Sequence, residues 1–405
     1  MPRLASALSP VVHGSEEGGL RTQVAAPLGV LVTCALLVLT QLYVAIPLAS
    51  PVGREIGGGN VSAVLVTAYS LAYAAGFLVF GPLSDHYGRK TILVPGLVAL
   101  AVSTASLSAA HSLGVLGVLR AVQGFSAASF PPVALAYLSE ALPARWRTTA
   151  IGAMSTSFLA AGIVGQIYAS AVTLAWGWRW VFALAAAAFV LAAVALATIL
   201  REPTRTVPHS TLGRRFRQLG VLAGRRELAL PVVAAFTVLL TFVAMYTALG
   251  PELQARFGLD EAEIFQVRCA GLPAMLLAPV AGALVSRIGA LRVVLAGFTL
   301  AALGLAFEAL ANGSLGALIA ANTIFVAGIA TTVPAQIALV GACAREERAG
   351  GIALYSFALF VGASMGPLTT QLPLGFNGLL LALAALLVGG AGLVSLGNYG
   401  PRAET

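Results

Sequence analysis

Apolar runs long enough to cross a bilayer recur along the whole chain, separated by short polar stretches. A helix needs about 20 mostly apolar residues to traverse the hydrocarbon. Backbone groups there have no water to bond, so such runs are helical. Twelve are counted: residues 27–47, 61–83, 91–110, 113–138, 149–173, 178–199, 229–249, 263–286, 291–311, 314–340, 350–372 and 375–396. The third and fourth, and the fifth and sixth, are the least sharply divided, because only "AAHSLG" and "AWGWRW" interrupt them. The longest polar segment, residues 200–228, carries seven arginines and splits the runs six and six. The pattern predicts an all-α membrane protein of twelve transmembrane helices. The expected organisation is a tail (1–26), a six-helix bundle (27–199), a basic linker (200–228), a second six-helix bundle (229–396) and a tail (397–405).

Composition reinforces this pattern. The chain is 59% hydrophobic and 9% charged over 405 residues, against about 45–50% and about 25% in soluble domains. Residues 1–26 lack the pattern of a cleaved signal, so the first run is expected to be retained. The net charge of +8 does not call for a nucleic-acid partner, because its placement follows the membrane. With the N-terminus in the cytoplasm, all but Arg54, Arg120, Arg179, Arg256 and Arg268 of the 23 basic residues fall on the cytoplasmic side. That bias sets the orientation. It places both termini on the cytoplasmic side of a plasma (inner) membrane and puts the arginines of 200–228 within reach of anionic headgroups. Cys34, Cys269 and Cys343 are far apart and the four histidines are scattered, so no disulfide framework or metal site is expected.

An internal repeat appears at an offset of 201 positions. Gly81, Gly88, Gly96, Arg147, Ile151 and Gly165 fall on Gly282, Gly289, Gly297, Arg348, Ile352 and Gly366. One offset held across several loops and helices argues for duplication of a six-helix unit, and sites in such folds lie between the halves.

The most polar short stretch is "GPLSDHYGRK", residues 81–90, between the second and third runs. Gly88 can turn at positive φ, and Asp85 can accept from a helix N-terminus or an arginine. This loop resembles the signature of the major facilitator superfamily, G-x-x-x-D-[RK]-x-G-R-[RK]. Gly81, Asp85, Gly88, Arg89 and Lys90 match, whereas His86 stands where a basic residue is usual. The second copy, "GALVSRIGALR", keeps Gly282, Arg287 and Gly289 but has Ser286 in place of the Asp. The resemblance is nearest to bacterial twelve-helix drug or sugar efflux members driven by protons. It implies that Asp85 and Arg89 belong to a clamp that stabilises an outward-open arrangement by bridging the halves. His86 would weaken that clamp or make it pH-sensitive. The alternative is that these charges only anchor the topology.

Further candidates lie inside the runs. Arg120, in "LRAVQGFSAASFPP", resembles the superfamily's fourth-helix arginine, linked there to proton coupling or substrate charge, and Gln123 lies one turn on. A charge within a span faces a cavity or a partner; the alternatives are snorkelling to the outer interface and, for Gln123, a structural interhelical bond. Gln41 and Tyr43 are the polar groups of the first run, and Tyr246, Asn322, Gln336 and Tyr355 lie at mid-depth in the second half. Glu140 and Glu308 are the candidate proton carriers, each with a structural alternative. The antiporter pattern G-x-x-x-G-P-x-x-G-G is eroded in "AGIVGQIYAS", which keeps Gly165 but has Ala161, Gln166, Ala169 and Ser170 at the other pattern positions, with Gly162 a further packing candidate; it is echoed by Gly362, Gly366 and Pro367 in "GASMGP". Small residues at this spacing also simply permit close packing.

A largely apolar cavity with few hydrogen-bonding groups suits amphipathic molecules. There is no G-x-x-x-x-G-K-[ST] loop and no catalytic cluster, so neither ATP hydrolysis nor any other enzyme activity is expected, and no cofactor. The reading is a monomeric secondary transporter that exports drug-like or sugar-like molecules by alternating access, in exchange for protons. Its partners are the small-molecule substrate, protons and the lipid bilayer. The alternatives are an uptake permease for a small organic anion, with Arg120 as charge partner, and a transport-inactive membrane receptor.

Overall fold

The computed structural model describes residues 13–57, 59–202, 212–311, 313–397 and 399. The expected tails beyond residues 13 and 399, and linker residues 203–211, lie outside the described residues. Every regular element among the described residues is helical. In chain order the first half contains α1 (His13–Tyr43), α2 (Ala45–Ile56), α3 (Val61–Tyr87), α4 (Arg89–Leu107), α5 (Leu113–Ala127), α6 (Pro131–Ala141), α7 (Ala144–Trp176) and α8 (Trp178–Ile199). The linker holds α9 (Leu212–Ala223). Then come α10 (Arg226–Phe257), α11 (Glu261–Ala270), α12 (Leu277–Ile288), α13 (Ala290–Leu310), α14 (Leu315–Ala344), α15 (Arg348–Met365) and α16 (Gly375–Ser395).

Prolines and glycines explain where the apolar runs break. Pro47 has no N–H to give Tyr43, and the ladder is interrupted between α1 and α2. Pro131 and Pro132 interrupt it between α5 and α6, which nevertheless form one span, Leu113–Ala141. Gly88 and Gly289, matched by the repeat, both turn at positive φ (117° and 90°) between α3 and α4 and between α12 and α13. Local caps fix other starts: Asn60 accepts from the Ala63 N–H at 3.0 Å, and Asp260 and Glu263 form a reciprocal capping box on α11.

Among the described residues, eleven segments are long and apolar enough to cross a membrane. The predicted fifth run, 149–173, lies in α7, where the apolar stretch counted among the described residues is the shorter Ala160–Trp176. The 200–228 segment is not only a polar connector, since α9 forms within it.

The buried apolar side chains fall into one cluster spanning residues 222–399 and two within residues 31–200. The halves meet chiefly along α3 and α15. There Phe360 packs edge-on to Tyr73 at 4.6 Å and stacks on Phe77 at 5.7 Å, and the Thr67 hydroxyl donates to the Ser364 carbonyl.

Candidate functional site

A cavity of about 1100 Å³ opens between the two halves. Tyr43 of α1, Gln166 of α7, Phe242 and Tyr246 of α10 and Arg268 of α11 line it, among mostly apolar neighbours. Its mouth lies at the end of the bundle that carries Arg54, Asn60, Trp178, Gln254 and Glu261. There Arg54 Nη1 reaches Glu261 Oε1 at 3.0 Å, and the Ser50 hydroxyl donates to the same oxygen. Beside them Glu55 accepts from Trp178 Nε1 at 2.5 Å and pairs with Arg179. The Arg179 and Trp178 donors hold the Glu55 carboxyl below its ordinary pKa.

The opposite, basic end is closed by the α3–α15 seam and by a charged cluster. Arg89 donates to both oxygens of Glu140 (Nη2 at 2.6 Å, Nε at 3.1 Å), to Ser84 Oγ at 2.6 Å, and pairs with Asp85. Arg215 of α9 reaches the other Asp85 oxygen at 2.7 Å. Glu202 accepts from the backbone N–H of Arg89 at 2.6 Å and of Lys90 at 2.9 Å, so a carboxylate caps the start of α4. A Cβ on Gly88 would lie 2.7 Å from that carboxylate. Lys90 Nζ donates to the Ala197 and Leu200 carbonyls at the end of α8. Arg215 and Glu202 were not singled out in the sequence. Glu202 follows an apolar run directly, a position compatible with capping; nothing marks Arg215 among the linker arginines.

The expected cavity residues separate into groups. Tyr43 and Tyr246 line the cavity. Arg120 and Gln123 do not, and neither does Gln41, because α5 turns this face into the first half. Arg120 is fully buried, so it does not snorkel. It donates to the Leu65 carbonyl at 2.9 Å, the Gln41 carbonyl at 3.2 Å and Gln123 Oε1 at 2.6 Å, and lies over the Tyr69 ring. Gln123 in turn donates to Gln41 and Thr104, tying α5 to α1 and α4. Asn322 sits behind the wall, 3.3 Å from the Tyr246 hydroxyl. Gln336 is buried with no hydrogen-bond partner for its side chain among the described residues, and the Tyr355 hydroxyl donates to the Val333 carbonyl at 3.5 Å.

The acids also separate. Glu140 belongs to the closed end, not the cavity. Glu308 is 2% exposed within α13, beside the Asn322 side chain. The small residues mark close approaches. A Cβ on Gly165 would lie 3.0 Å from the Thr40 carbonyl, one on Gly162 3.7 Å from the Tyr43 ring, one on Gly362 2.0 Å from the Phe236 carbonyl, and one on Gly366 2.7 Å from Val243. Pro367 is buried beside Gly366 at the start of a short 3-10 turn.

Apolar helices of membrane length thus surround a cavity lined by both halves. The chain belongs to the Major Facilitator Superfamily, whose profile matches residues 31–367. It is 34% identical over 120 residues to an uncharacterized MFS-type transporter of Mycobacterium tuberculosis, covering 29% of this chain and 21% of that protein. It is 26% identical over 119 residues to multidrug resistance protein 3 of Bacillus subtilis, covering 29% and 23%. An uncharacterized MFS-type transporter of Bacillus subtilis is 26% identical over 316 residues, covering 76% and 75%. The chain thus spans less than a quarter of the length of the first two relatives.

Proposed function

We propose that this protein is a secondary transporter that exports small amphipathic organic molecules by alternating access, in exchange for protons. Twelve spans in two six-helix units build it, with α7 supplying the fifth. The matched turns at Gly88 and Gly289 support the duplication. So do the crossings at Gly96 and Gly297, where a Cβ would lie 2.0 Å from Ser129 Oγ and 2.4 Å from Thr332 Oγ1. The basic end faces the cytoplasm of a bacterium, following the positive-inside bias.

The observation that carries the reading is the single-ended cavity between the halves, sealed at the basic end by α3 against α15. In the proposed orientation it faces outward, as a release state would. The cluster around Asp85 holds this state through α9. Leu222 of α9 belongs to the second half's core, and a Cβ on Gly350 of α15 would touch Leu219 at 3.2 Å. Multidrug resistance protein 3 is the relative that favours drug-like cargo.

Glu308 is the proton site. It is buried beside the Asn322 side chain, which in turn meets the Tyr246 hydroxyl at the cavity wall. A carboxylate left in this setting is costly, so its charge follows access to water. The test is dye export from proteoliposomes under an imposed pH gradient. The wild type should respond to the gradient. Glu308→Gln should keep dye binding and lose that response. Equal gradient dependence in both would remove Glu308 from coupling, and no gradient dependence in the wild type would discard proton exchange.

A further inference from the structure

We infer that the cavity contains a receiving site for the anionic group of an amphipathic molecule, formed by Arg268 with Gln166 as its polar companion; the transport of such anions rests on the reading above. Two basic side chains enter the cavity lining, Arg54 and Arg268. Arg54 is at the mouth and already holds Glu261. Arg268 has no ion pair among the described residues, and its Nε is buried without a hydrogen-bond partner. Among the described residues, its hydrogen bond runs from Nη2 to the Tyr246 carbonyl, a long 3.4 Å. Glu261 lies on the same helix seven residues earlier, about 10 Å along the axis, and is engaged by Ser50 and Arg54.

The guanidinium has a seat prepared for it. Gly250 of α10 lies directly beneath: a Cβ there would come within 2.6 Å of Nη2. The absent side chain gives the cation room against the helix. Gln166 of α7 also lines the cavity; it is 3% exposed, anchored by Nε2 to the Gly162 carbonyl at 2.9 Å, with Oε1 unpartnered among the described residues. A cation without a counter-charge and a buried amide oxygen without a donor are each unfavourable unless a ligand completes them. An anion satisfies the first, and a hydrogen-bond donor beside that anion satisfies the second. Phe242 and Tyr43 face the remainder of the molecule, which is therefore apolar or aromatic.

Arg268 is offered as a binding residue, and the probes are a matched pair: anilinonaphthalene sulfonate and its uncharged parent phenylnaphthylamine. Binding is measured by fluorescence titration of the full chain in detergent, beside its thermal midpoint. A charge-assisted bond contributes about 1.5–3 kcal/mol, so the wild type should prefer the anion by at least about tenfold. Arg268→Gln should erase that preference and leave the uncharged probe's affinity intact. Gly250→Ala, which crowds the guanidinium, should weaken the anion alone. Arg268→Lys should keep part of the preference, and with Gly250→Ala it decides the matter if Arg268→Gln fails to fold. Equal wild-type affinities for the two probes, or a preference untouched by these variants, would overturn the site. Anion preference without transport in proteoliposomes would discard export and keep the site. Transport without charge preference would discard only the site.

Discussion

Gly81 and Gly88 belong to one loop pattern but meet different surroundings. Gly88 sits at φ 117°, ψ 153°, a region essentially reserved for glycine. An added Cβ would also press on the Glu202 carboxylate that caps α4. Gly81 is within α3 and has nothing within 4 Å of its would-be Cβ. Gly88→Ala should therefore cost about 1–3 kcal/mol, whereas Gly81→Ala should be neutral or stabilising by up to about 1 kcal/mol through helix propensity. Thermal midpoints in detergent check the pair: equal losses would mean that the pattern, not the local geometry, sets their importance. Gly362→Ala should resemble Gly88→Ala, since its Cβ would lie 2.0 Å from the Phe236 carbonyl.

At the scale of elements, α9 is the part that joins the loop to the second half. Asp85 holds it through Arg215, whose side chain is 13% exposed against 32% for Asp85. Partial exposure limits such a pair to about 1 kcal/mol. Asp85→Asn and Arg215→Ala should each speed amide exchange across α9 by a few-fold, while Arg217→Ala, on the exposed side, should not. Exchange unchanged in all three would show that α9 is held by Leu219 and Leu222 alone. The spans were legible because apolar length is written directly in the sequence. Their breaks at Pro47 and Pro131 follow from missing N–H groups. The site was legible only in part. The position of Arg120 along its run gives its depth but not which way α5 turns it, and that rotation buries Arg120 among Leu65, Gln41 and Gln123. Arg268 was counted only among the five basic residues not on the cytoplasmic side; that it has no ion pair among the described residues depends on where Glu261 falls in space.

The whole molecule is held at its two ends by unequal means. The mouth is crossed by Arg54 and Glu261, whose side chains are 67% and 55% exposed, a pair worth about 0–1 kcal/mol at most. The basic end is sealed by Tyr73 and Phe77, both nearly buried, against Phe360, with the Asp85 and Arg89 cluster beyond. Removing a buried phenylalanine ring costs about 3–5 kcal/mol, less where it is half-buried. That loss falls on the arrangement closed at the basic end and not on one in which α3 and α15 have parted. Phe360→Ala should therefore shift the population, by about tenfold for each 1.4 kcal/mol of difference. Spin labels at Tyr87 and Ile288, exposed residues of α3 and α12 beside the matched turns, report it. Phe360→Ala should enlarge the longer-distance population between them, and Arg54→Ala should leave it nearly unchanged. The reverse result, a large response to Arg54→Ala and none to Phe360→Ala, would place the controlling lock at the mouth.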